Sequence, residues 1–430
     1  MKNLGMSDFE RDYLLELATE YKKIADTEEN KSKIQNWYDI NDLKPNAKPL
    51  FMNHYWPAAL NEVFPEDSYK CKSQAALKYE KHFKTRMFYI KELGDDNVVE
   101  PVIAAHFGYN IDQFGGLPSK KMIRSAEDDG SGAYELAPII IKPEDIALIK
   151  DPILKYNKDV AEEIFEQTQE IFEPVLTVVK RAAAWGSKLA DQFTWFRGME
   201  QAYIDMVDDP EWVHELLETI ADKYKKGLDL LVNNGLWGNY DLSDPLGSSS
   251  GLKYATGIKD YKDVKPGDYF KDKIPLDKSW GGSIAEAFTC VSNDMHEEFS
   301  YMYDRKLNEC FKYINVGCCE VLGHKVDLIR KFRNARKISI SEWNKYELAA
   351  KNIGRDFVYS YKPAGVPFLG ENLDKVAVER EIRGVLEAVK KYNCNAELVL
   401  NIGGTLGVNP HKKIREWSDL TRRLIEEYYQ

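Results

Sequence analysis

Cysteine is scarce in this sequence, with six in 430 residues, which is too few for a disulfide framework and fits reduced thiols in a cytoplasm. No apolar run approaches the roughly 18 residues of a membrane span, and residues 1–8 lack the apolar segment of a signal peptide. Lys and Arg number 59 against 70 Asp and Glu, so the net charge of −11 disfavours nucleic acid and anionic membranes as partners. We expect a soluble, cytoplasmic protein.

Several common catalytic motifs are also missing. The sequence has neither a GxGxxG fingerprint nor a P-loop, which argues against binding of dinucleotides or nucleoside triphosphates. It has no Gly-x-Ser-x-Gly elbow, which argues against triad hydrolysis. Hydrophobic residues make up 43% of the chain, which is an ordinary globular composition. Any chemistry therefore has to come from another set of residues.

The most informative feature is a strand-like segment, 313–317, that ends in Cys318, Cys319 and Glu320, with His324 four residues further on. Thiolate, carboxylate and imidazole are the ligands that zinc accepts. Free cysteines are, however, also among the residues most often buried as small hydrophobic groups. Two adjacent cysteines indicate a metal site less specifically than a CxxC spacing does. Both interpretations stay open at this point.

Along the chain, a helical part precedes an alternating part. The pattern of residues 7 to about 90 predicts mainly helices. From residue 98, strand-like and helix-like segments alternate. A long helix is predicted at 159–186 and a polar insertion near 240–280. Strands are predicted at 99–107, 136–141, 192–196, 284–291, 312–317, 337–341, 357–361 and 397–402. Alternation of this kind favours parallel strands joined by crossover helices. We predict a (β/α)8 TIM-type barrel at 97–430 with an N-terminal helical extension at 1–96, rather than an open doubly wound sheet.

In such a barrel the residues that follow each strand meet at one mouth. The residues in question are His106, Tyr109, Arg197, Glu200, Cys290, Asn293, Cys318 to Glu320, Ser341, Glu342, Trp343, Lys362, Asn401, Gly403 and Thr405. This set is rich in groups that bind metals, donate protons or hold anions. It therefore predicts an active site at the carboxyl ends of the strands.

Several of these residues have a structural alternative. His106 is interpreted equally well as an interior histidine or as a catalyst. Arg197 is suited to hold a substrate carboxylate or to pair with Glu200. Glu342 is a candidate proton donor or metal ligand, but it also fits a helix cap. For Lys362 the two alternatives are a position in the pocket and a position in solvent.

The later part of the chain, from about residue 97, resembles the uroporphyrinogen decarboxylase-like superfamily. The matching segments, in order, are 196–200, 208–211, 317–320, 338–343, 360–363 and 400–405. As an ordered set these motifs are moderately specific, although each one alone is weak. The resemblance implies an (α/β)8 barrel, in agreement with the strand pattern.

Two activities share that family fold, namely porphyrinogen decarboxylation and zinc-dependent methyl transfer with a corrinoid protein. The decarboxylases carry an Arg-rich segment near the N-terminus, whereas the comparable segment here, Pro49–Pro57, contains no arginine. A polyanionic tetrapyrrole needs several cationic partners. The chain is therefore more similar to the corrinoid-dependent methyltransferases of the methoxyarene O-demethylase type. It departs from the coenzyme M methyltransferases, whose zinc-binding His and last-strand Cys correspond to Asn315 and the vicinity of Gly403.

The resemblance implies a zinc ion held by ligands drawn from Cys318, Cys319, Glu320 and His324, with Cys290 as a further candidate. We favour one of the two adjacent cysteines together with Glu320. The implied reaction moves a methyl group from a small methylated substrate, a methoxylated aromatic, to the Co(I) of a separate corrinoid protein. Zinc would act as a Lewis acid on the ether oxygen.

The remaining predicted site residues divide by role. The catalytic residues are Glu342, His106 and Arg197, and the substrate-binding residues are Tyr109, Trp195, Trp343, Lys362 and Asn401. One alternative function is a decarboxylase or lyase that acts on a small carboxylic acid or a tetrapyrrole-related compound and uses Arg197 and Lys362 to hold the carboxylate. Another is a barrel without catalysis that binds a corrinoid or tetrapyrrole. The sequence leaves the oligomeric state open, with a homodimer as one option.

Overall fold

The main sheet of this protein consists of parallel strands, and the shorter pairs outside it are mostly antiparallel. The computed structural model describes residues 2–123, 135–180, 186–238, 241–246, 250–265, 268–270, 273–403 and 406–429. The strands, numbered in chain order, are β1 Leu50–Tyr55, β2 Val102–Ala105, β3 Tyr109–Asp112, β4 Lys121–Ile123, β5 Glu135–Ala137, β6 Ile153–Tyr156, β7 Thr177–Lys180, β8 Pro245–Leu246, β9 Ser250–Leu252, β10 Trp280–Ser283, β11 Tyr313–Val316, β12 Ala335–Ser341, β13 Val358–Lys362 and β14 Asn395–Ile402.

The α-helices cover this sheet structure from outside. They are α1 Asp8–Ala25, α2 Glu28–Asn41, α3 Pro57–Val63, α4 Gln74–Glu92, α5 Lys158–Phe172, α6 Leu189–Arg197, α7 Met199–Asp208, α8 Pro210–Asn233, α9 Asn293–His296, α10 Met302–Asn308, α11 Val326–Ile329, α12 Tyr346–Ile353, α13 Lys375–Lys391 and α14 Pro410–Tyr428. A π-helical turn, Glu297–Tyr301, joins α9 to α10. Among the described helices, none combines the length and the apolar content needed to cross a bilayer.

Six strands form one curled parallel sheet, in the order β1-β14-β13-β12-β11-β10. Strands β2 and β7 form a separate parallel pair, and Ser187 makes a parallel bridge to Ser283 at the end of β10. The result is a mixed α/β fold with a half barrel, compatible with a TIM-like architecture. Strand pairing within the described ranges does not close the sheet into an eight-stranded ring, so the closed barrel stays a prediction.

The strands of the main sheet are apolar runs in the sequence because they are buried on both faces. In β14, Leu398, Val399 and Leu400 are all buried although neighbouring side chains point to opposite faces. Helix α13 has the complementary pattern, with a buried stripe at Val378, Ile382 and further positions at helical spacing. The helices thus seal the outer face of the sheet.

Strand β1 lies in a region that was predicted to be mainly helical. It pairs with β14 from Leu50 to Tyr55, and on its outer side Phe51 packs edge-on against Trp417 of α14, with ring centroids 5.6 Å apart. Asn53 donates to Ser418 of the same helix at 3.0 Å. The N-terminal part of the chain therefore supplies a strand of the main sheet, while the division into residues 1–96 and 97–430 stays a prediction.

The strand predicted at 192–196 is wrong, because this segment belongs to helix α6. Leu189, Phe193 and Phe196 recur at helical spacing and are completely buried against neighbouring helices. The aromatic and β-branched residues of this segment suit a strand equally well by propensity. Packing of this largely buried helix against its neighbours decides the conformation here.

The long helix predicted at 159–186 is also wrong beyond its first half. Helix α5 ends at Phe172, and strand β7 begins at Thr177. Pro174 lies between them, and a proline removes a helical hydrogen bond and clashes with the preceding turn. Residues 181–185 of the predicted helix lie outside the described residues.

Two further strand predictions need correction. The strand predicted at 284–291 is replaced by β10 at 280–283, which contains two glycines; a Cβ at Gly281 would lie 2.3 Å from the Phe311 ring. The segment predicted at 136–141 contributes only β5, which pairs antiparallel with β4 outside the main sheet. Strands β11 to β14 confirm the predictions at 312–317, 337–341, 357–361 and 397–402.

A buried ion pair links two strands of the sheet near their amino ends. Lys337 Nζ donates to Glu397 Oε2 at 2.8 Å, and both side chains have no exposed surface. The other carboxylate oxygen accepts from Gly251 N at 2.8 Å and from Ser360 Oγ at 2.7 Å. The pair thus joins β12, β13 and β14 to the segment that contains β9.

We predict that Lys337→Met lowers the free energy of unfolding by about 3–5 kcal/mol, because it leaves a buried carboxylate without its cation. Adding Glu397→Gln removes that charge while keeping an acceptor for Gly251 and Ser360, so the double variant should recover much of the loss. Urea unfolding of both variants measures the difference. Equal losses in the single and double variants would contradict the prediction.

Candidate metal centre

The carboxyl ends of neighbouring parallel strands bring together residues that are distant in sequence. Cys318 and Cys319 follow β11, Glu286 follows β10, and Lys362 is the last residue of β13. In parallel α/β sheets this edge is where ligands bind. Glu286 lies in a single 3-10 turn, Glu286–Phe288.

Gly317 turns the chain between β11 and the two cysteines. Its φ of +86° belongs to the left-handed region, and a Cβ there would lie 2.2 Å from Leu322 Cδ1. After this turn Cys318 is buried, with 7% of its surface exposed, and Cys319 is exposed. The turn at Gly317 therefore leads into two neighbouring thiols that differ in exposure.

Three potential metal ligands meet at this point. Glu286, Cys318 and Cys319 each offer one ligand atom, and these atoms all lie within 4.8 Å of one another. The two sulfur atoms are 3.7 Å apart. Lys362 Nζ donates to Cys318 Sγ at 2.9 Å. We call Glu286, Cys318 and Cys319 the ligand cluster.

The three members of the ligand cluster differ in the pKa of their side chains. The hydrogen bond with Cys319 and the Lys362 ammonium lower the pKa of Cys318 to about 4, against the effect of burial. The hydrogen bond to Cys318, together with burial, raises the pKa of Cys319. Desolvation by surrounding protein and the charge of Cys318 raise the pKa of Glu286 to about 7, although part of its side chain is exposed. Cys318 is therefore the member of the cluster that ionises first as the pH rises, followed by Glu286 and then Cys319.

Glu320 and His324, both predicted ligands, lie outside the ligand cluster. Glu320 is 1% exposed; it accepts from Ala285 N at 2.7 Å through one oxygen and from Cys318 N through the other. Burial raises the pKa of its carboxyl group. His324 is exposed. Glu320 thus ties two loops together within the described structure.

The other residues predicted at the mouth occupy varied positions. Glu342 is half-buried, and burial together with the charge of Glu381 raises its pKa. Trp343 is 72% exposed. Asn401 lies on β14 beside His54 of β1 in the sheet register.

Three more predicted residues lie on β2, β3 and α6. His106 follows β2, and its ring centroid is 4.9 Å from that of Tyr79. Tyr109 begins β3, and Trp195 of α6 has Lys120 Nζ 5.3 Å from its ring centroid. All three are half-buried.

Arg197 forms an ion pair that the sequence did not indicate. Its Nε donates to Asp205 Oδ2 at 2.5 Å, and its Nη1 donates to the carbonyl oxygens of Ile140, at 3.2 Å, and Ile141. The alternative pairing with Glu200 is wrong: Glu200 is exposed, and the partner is the buried Asp205, five residues further along α7. Arg197 therefore holds α6, α7 and the segment after β5 together.

Glu286 is the cluster residue that sequence reasoning missed. Because the predicted strand ended at residue 291, Cys290 and Asn293 were the residues predicted at the mouth from this segment. With the end of β10 at Ser283, Glu286 is the third residue of the following loop. The two glycines of β10 concealed the strand, since glycine is depleted in strands.

Comparison with known proteins gives weak likenesses. No family model and no curated protein matches the sequence. Among solved structures, a methyltransferase from Methanosarcina mazei is 9% identical with a TM-score of 0.47, over 93% of this chain and 99% of that chain. A glycoside hydrolase family 5 mannosidase from Rhizomucor miehei is 8% identical with a TM-score of 0.35, over 91% of this chain and 98% of that chain. At such values neither likeness bears on function.

We predict that iodoacetamide alkylates Cys318 from low pH, because its thiolate persists there, and that Lys362→Met moves the midpoint of the pH profile upward by about 1–3 units. Mass spectrometry of the peptides distinguishes Cys318 from Cys319. Lys345→Met, which removes an exposed lysine, serves as the control. A midpoint that does not move in Lys362→Met would contradict the assigned role of the ammonium group.

Proposed function

We propose that this chain is a methyltransferase that moves a methyl group from a small methylated donor, a methoxylated aromatic compound, to the Co(I) of a corrinoid protein. We further propose that zinc serves as the Lewis acid. The observation that carries the proposal is the ligand cluster of Glu286, Cys318 and Cys319 at the carboxyl edge of a parallel sheet. The sequence resemblance described above, which includes both cysteines in its segment 317–320, supports the same proposal.

The chemistry of the donor set fits zinc. Two sulfur ligands and one carboxylate are a combination that zinc accepts, and three protein ligands leave a fourth position open, as in catalytic zinc sites. When bound at Glu286, Cys318 and Cys319, zinc supplies Lewis acidity that weakens the bond between the methyl group and its oxygen. Ligand residues must be deprotonated. The low pKa of Cys318 makes it the first ligand available.

The surrounding residues of the chain handle charge and protons. Lys362, next to Cys318, offsets part of the negative charge of the cluster and provides a donor at the same edge of the sheet. Glu342 follows β12, and its raised pKa favours retention of a proton. We assign Glu342 the role of proton donor to the oxygen that the methyl group leaves, with His106 as a second candidate.

A corrinoid protein needs a docking surface around the site, and the loops after the strands expose large apolar side chains. Trp343, Val366 and Leu369 are 72%, 69% and 69% exposed, on the loops after β12 and β13. Trp56 after β1 and Val408 after β14 are 44% and 59% exposed. Contiguous exposed apolar patches mark interaction sites, and we propose that these five side chains belong to one such patch. They support a protein partner on this face of the sheet.

The decarboxylase alternative receives no support from its two cations. Arg197 is engaged by Asp205 and by two carbonyl oxygens. Lys362 contacts the Cys318 sulfur. A carboxylic substrate would therefore have to displace existing partners of both residues. Methyl transfer does not require a substrate to displace these partners.

We predict that the full-length protein, incubated with a methoxylated aromatic such as 2-methoxyphenol and a reduced corrinoid protein, converts Co(I) to methylcobalt(III) and yields the demethylated phenol. Absorbance follows the corrinoid, and chromatography follows the phenol. Cys318→Ser removes a metal ligand and should lower both rates by more than about 100-fold.

Cys310→Ser, at a half-buried cysteine outside the ligand cluster, is the matched control and should keep the wild-type rate. Zinc analysis of the same samples should show metal in the wild type and control but not in Cys318→Ser. Equal rates in Cys318→Ser and wild type would contradict the proposal. So would carbon dioxide release from a carboxylic substrate without any corrinoid protein.

A further inference from the structure

We infer that Asp191 and Glu320 are positioning residues that hold Glu286 against the two cysteines. Neither carboxylate belongs to the ligand cluster, and both act through the backbone on either side of Glu286. The inference rests on the proposed metal site. It assigns Glu320 a different task from the ligand role that the sequence indicated.

Glu320 connects the loop after β10 to the loop after β11. One of its oxygens accepts from Ala285 N at 2.7 Å, and the other accepts from Cys318 N. The side chain is 1% exposed, so water does not compete for these contacts. One buried carboxylate therefore sets the distance between the residue before Glu286 and the backbone of Cys318.

Asp191 fixes the other side of the same turn. It lies on α6, is 4% exposed, and accepts from Ala287 N at 2.8 Å through Oδ1. The backbone amides immediately before and after Glu286 thus both donate to buried carboxylates. A 3-10 turn of three residues has little structure of its own to orient a side chain. The two external acceptors supply that orientation.

Both carboxylates are almost completely enclosed by protein. Hydrogen-bonding groups around a metal site orient its ligands, and their loss weakens metal binding. The arrangement therefore fits support of a metal site better than simple closure of a loop.

The test is titration of the metal-free full-length protein with Co²⁺, followed by competition with Zn²⁺. Cobalt reports thiolate ligation by a charge-transfer band and reports geometry by its d–d bands. We expect Glu320→Gln to weaken Co²⁺ binding by about 10- to 100-fold and to alter the d–d bands, because the amide nitrogen of Gln cannot accept the second backbone proton. Asp191→Ala should have a similar effect. Asp191→Asn should restore binding, since Oδ1 still accepts from Ala287 N.

Glu80→Gln is the matched control. Glu80 is a completely buried carboxylate that accepts from Lys70 N at 3.0 Å and from Cys71 N at 2.8 Å, outside the ligand cluster. It should lose stability like Glu320→Gln without a change in the cobalt spectrum. If Asp191→Ala does not fold, the contrast between Glu320→Gln and Asp191→Asn decides the question.

Cobalt binding by Glu320→Gln and Asp191→Ala that equals binding by Glu80→Gln would overturn the inference and leave the proposed function intact. Wild-type protein that shows no thiolate-to-cobalt band would overturn the metal site itself, and the positioning role with it. The two failures are thus distinguished by the wild-type titration alone.

Discussion

Parallel pairing of β10, β11, β12 and β13 is the constraint on which the candidate site depends. Because these strands run in the same direction, their carboxyl ends lie along one edge, and residues separated by up to 76 positions in sequence become neighbours there. Glu286, Cys318 and Lys362 each come from a different strand end. Displacement of any of these strands along its neighbour would separate the groups that form the site.

The second constraint is charge. The edge concentrates acidic groups, namely Glu286, Asp191, Glu320 and the Cys318 thiolate, with Lys362 as the cation that touches a sulfur atom. Burial raises the pKa of the carboxyl groups, while Cys318 remains ionised through its hydrogen bonds. A divalent cation placed among two sulfurs and a carboxylate would offset this negative charge. In the proposed site, Glu286 and the two cysteines would be the ligands, and Asp191 and Glu320 their supports.

The sequence predicted some elements well, for identifiable physical reasons. Strands β11 to β14 are long apolar runs buried on both faces, and they were placed within two residues of their observed ends. Cys318 and Cys319 were correctly placed at a strand end. Strand β10 was displaced because glycine carries no propensity signal, and Glu286 was lost with it. The helix α6 was misassigned because its aromatic residues suit either conformation, and only tertiary packing decides between them.

Long-range contacts account for what remained hidden. Nothing in the local sequence shows that β1 pairs with β14 across more than 340 residues, or that Glu320 accepts from Ala285, 35 residues away. The chain bends at residues 318–320, so the Cys318 thiol faces Lys362 while the Glu320 carboxylate turns to two backbone amides. The sequence therefore identified the right loop but not the complete set of residues around it.

The central claim is that one metal ion is bound by two sulfurs and one carboxylate. X-ray absorption spectroscopy of the zinc-loaded full-length protein tests it most directly. The account predicts two sulfur neighbours at about 2.3 Å and oxygen neighbours at about 2.0–2.2 Å, without the multiple-scattering signal of an imidazole. A spectrum with one sulfur or none, or with an imidazole ligand, would contradict the assignment of Glu286, Cys318 and Cys319 as the metal centre.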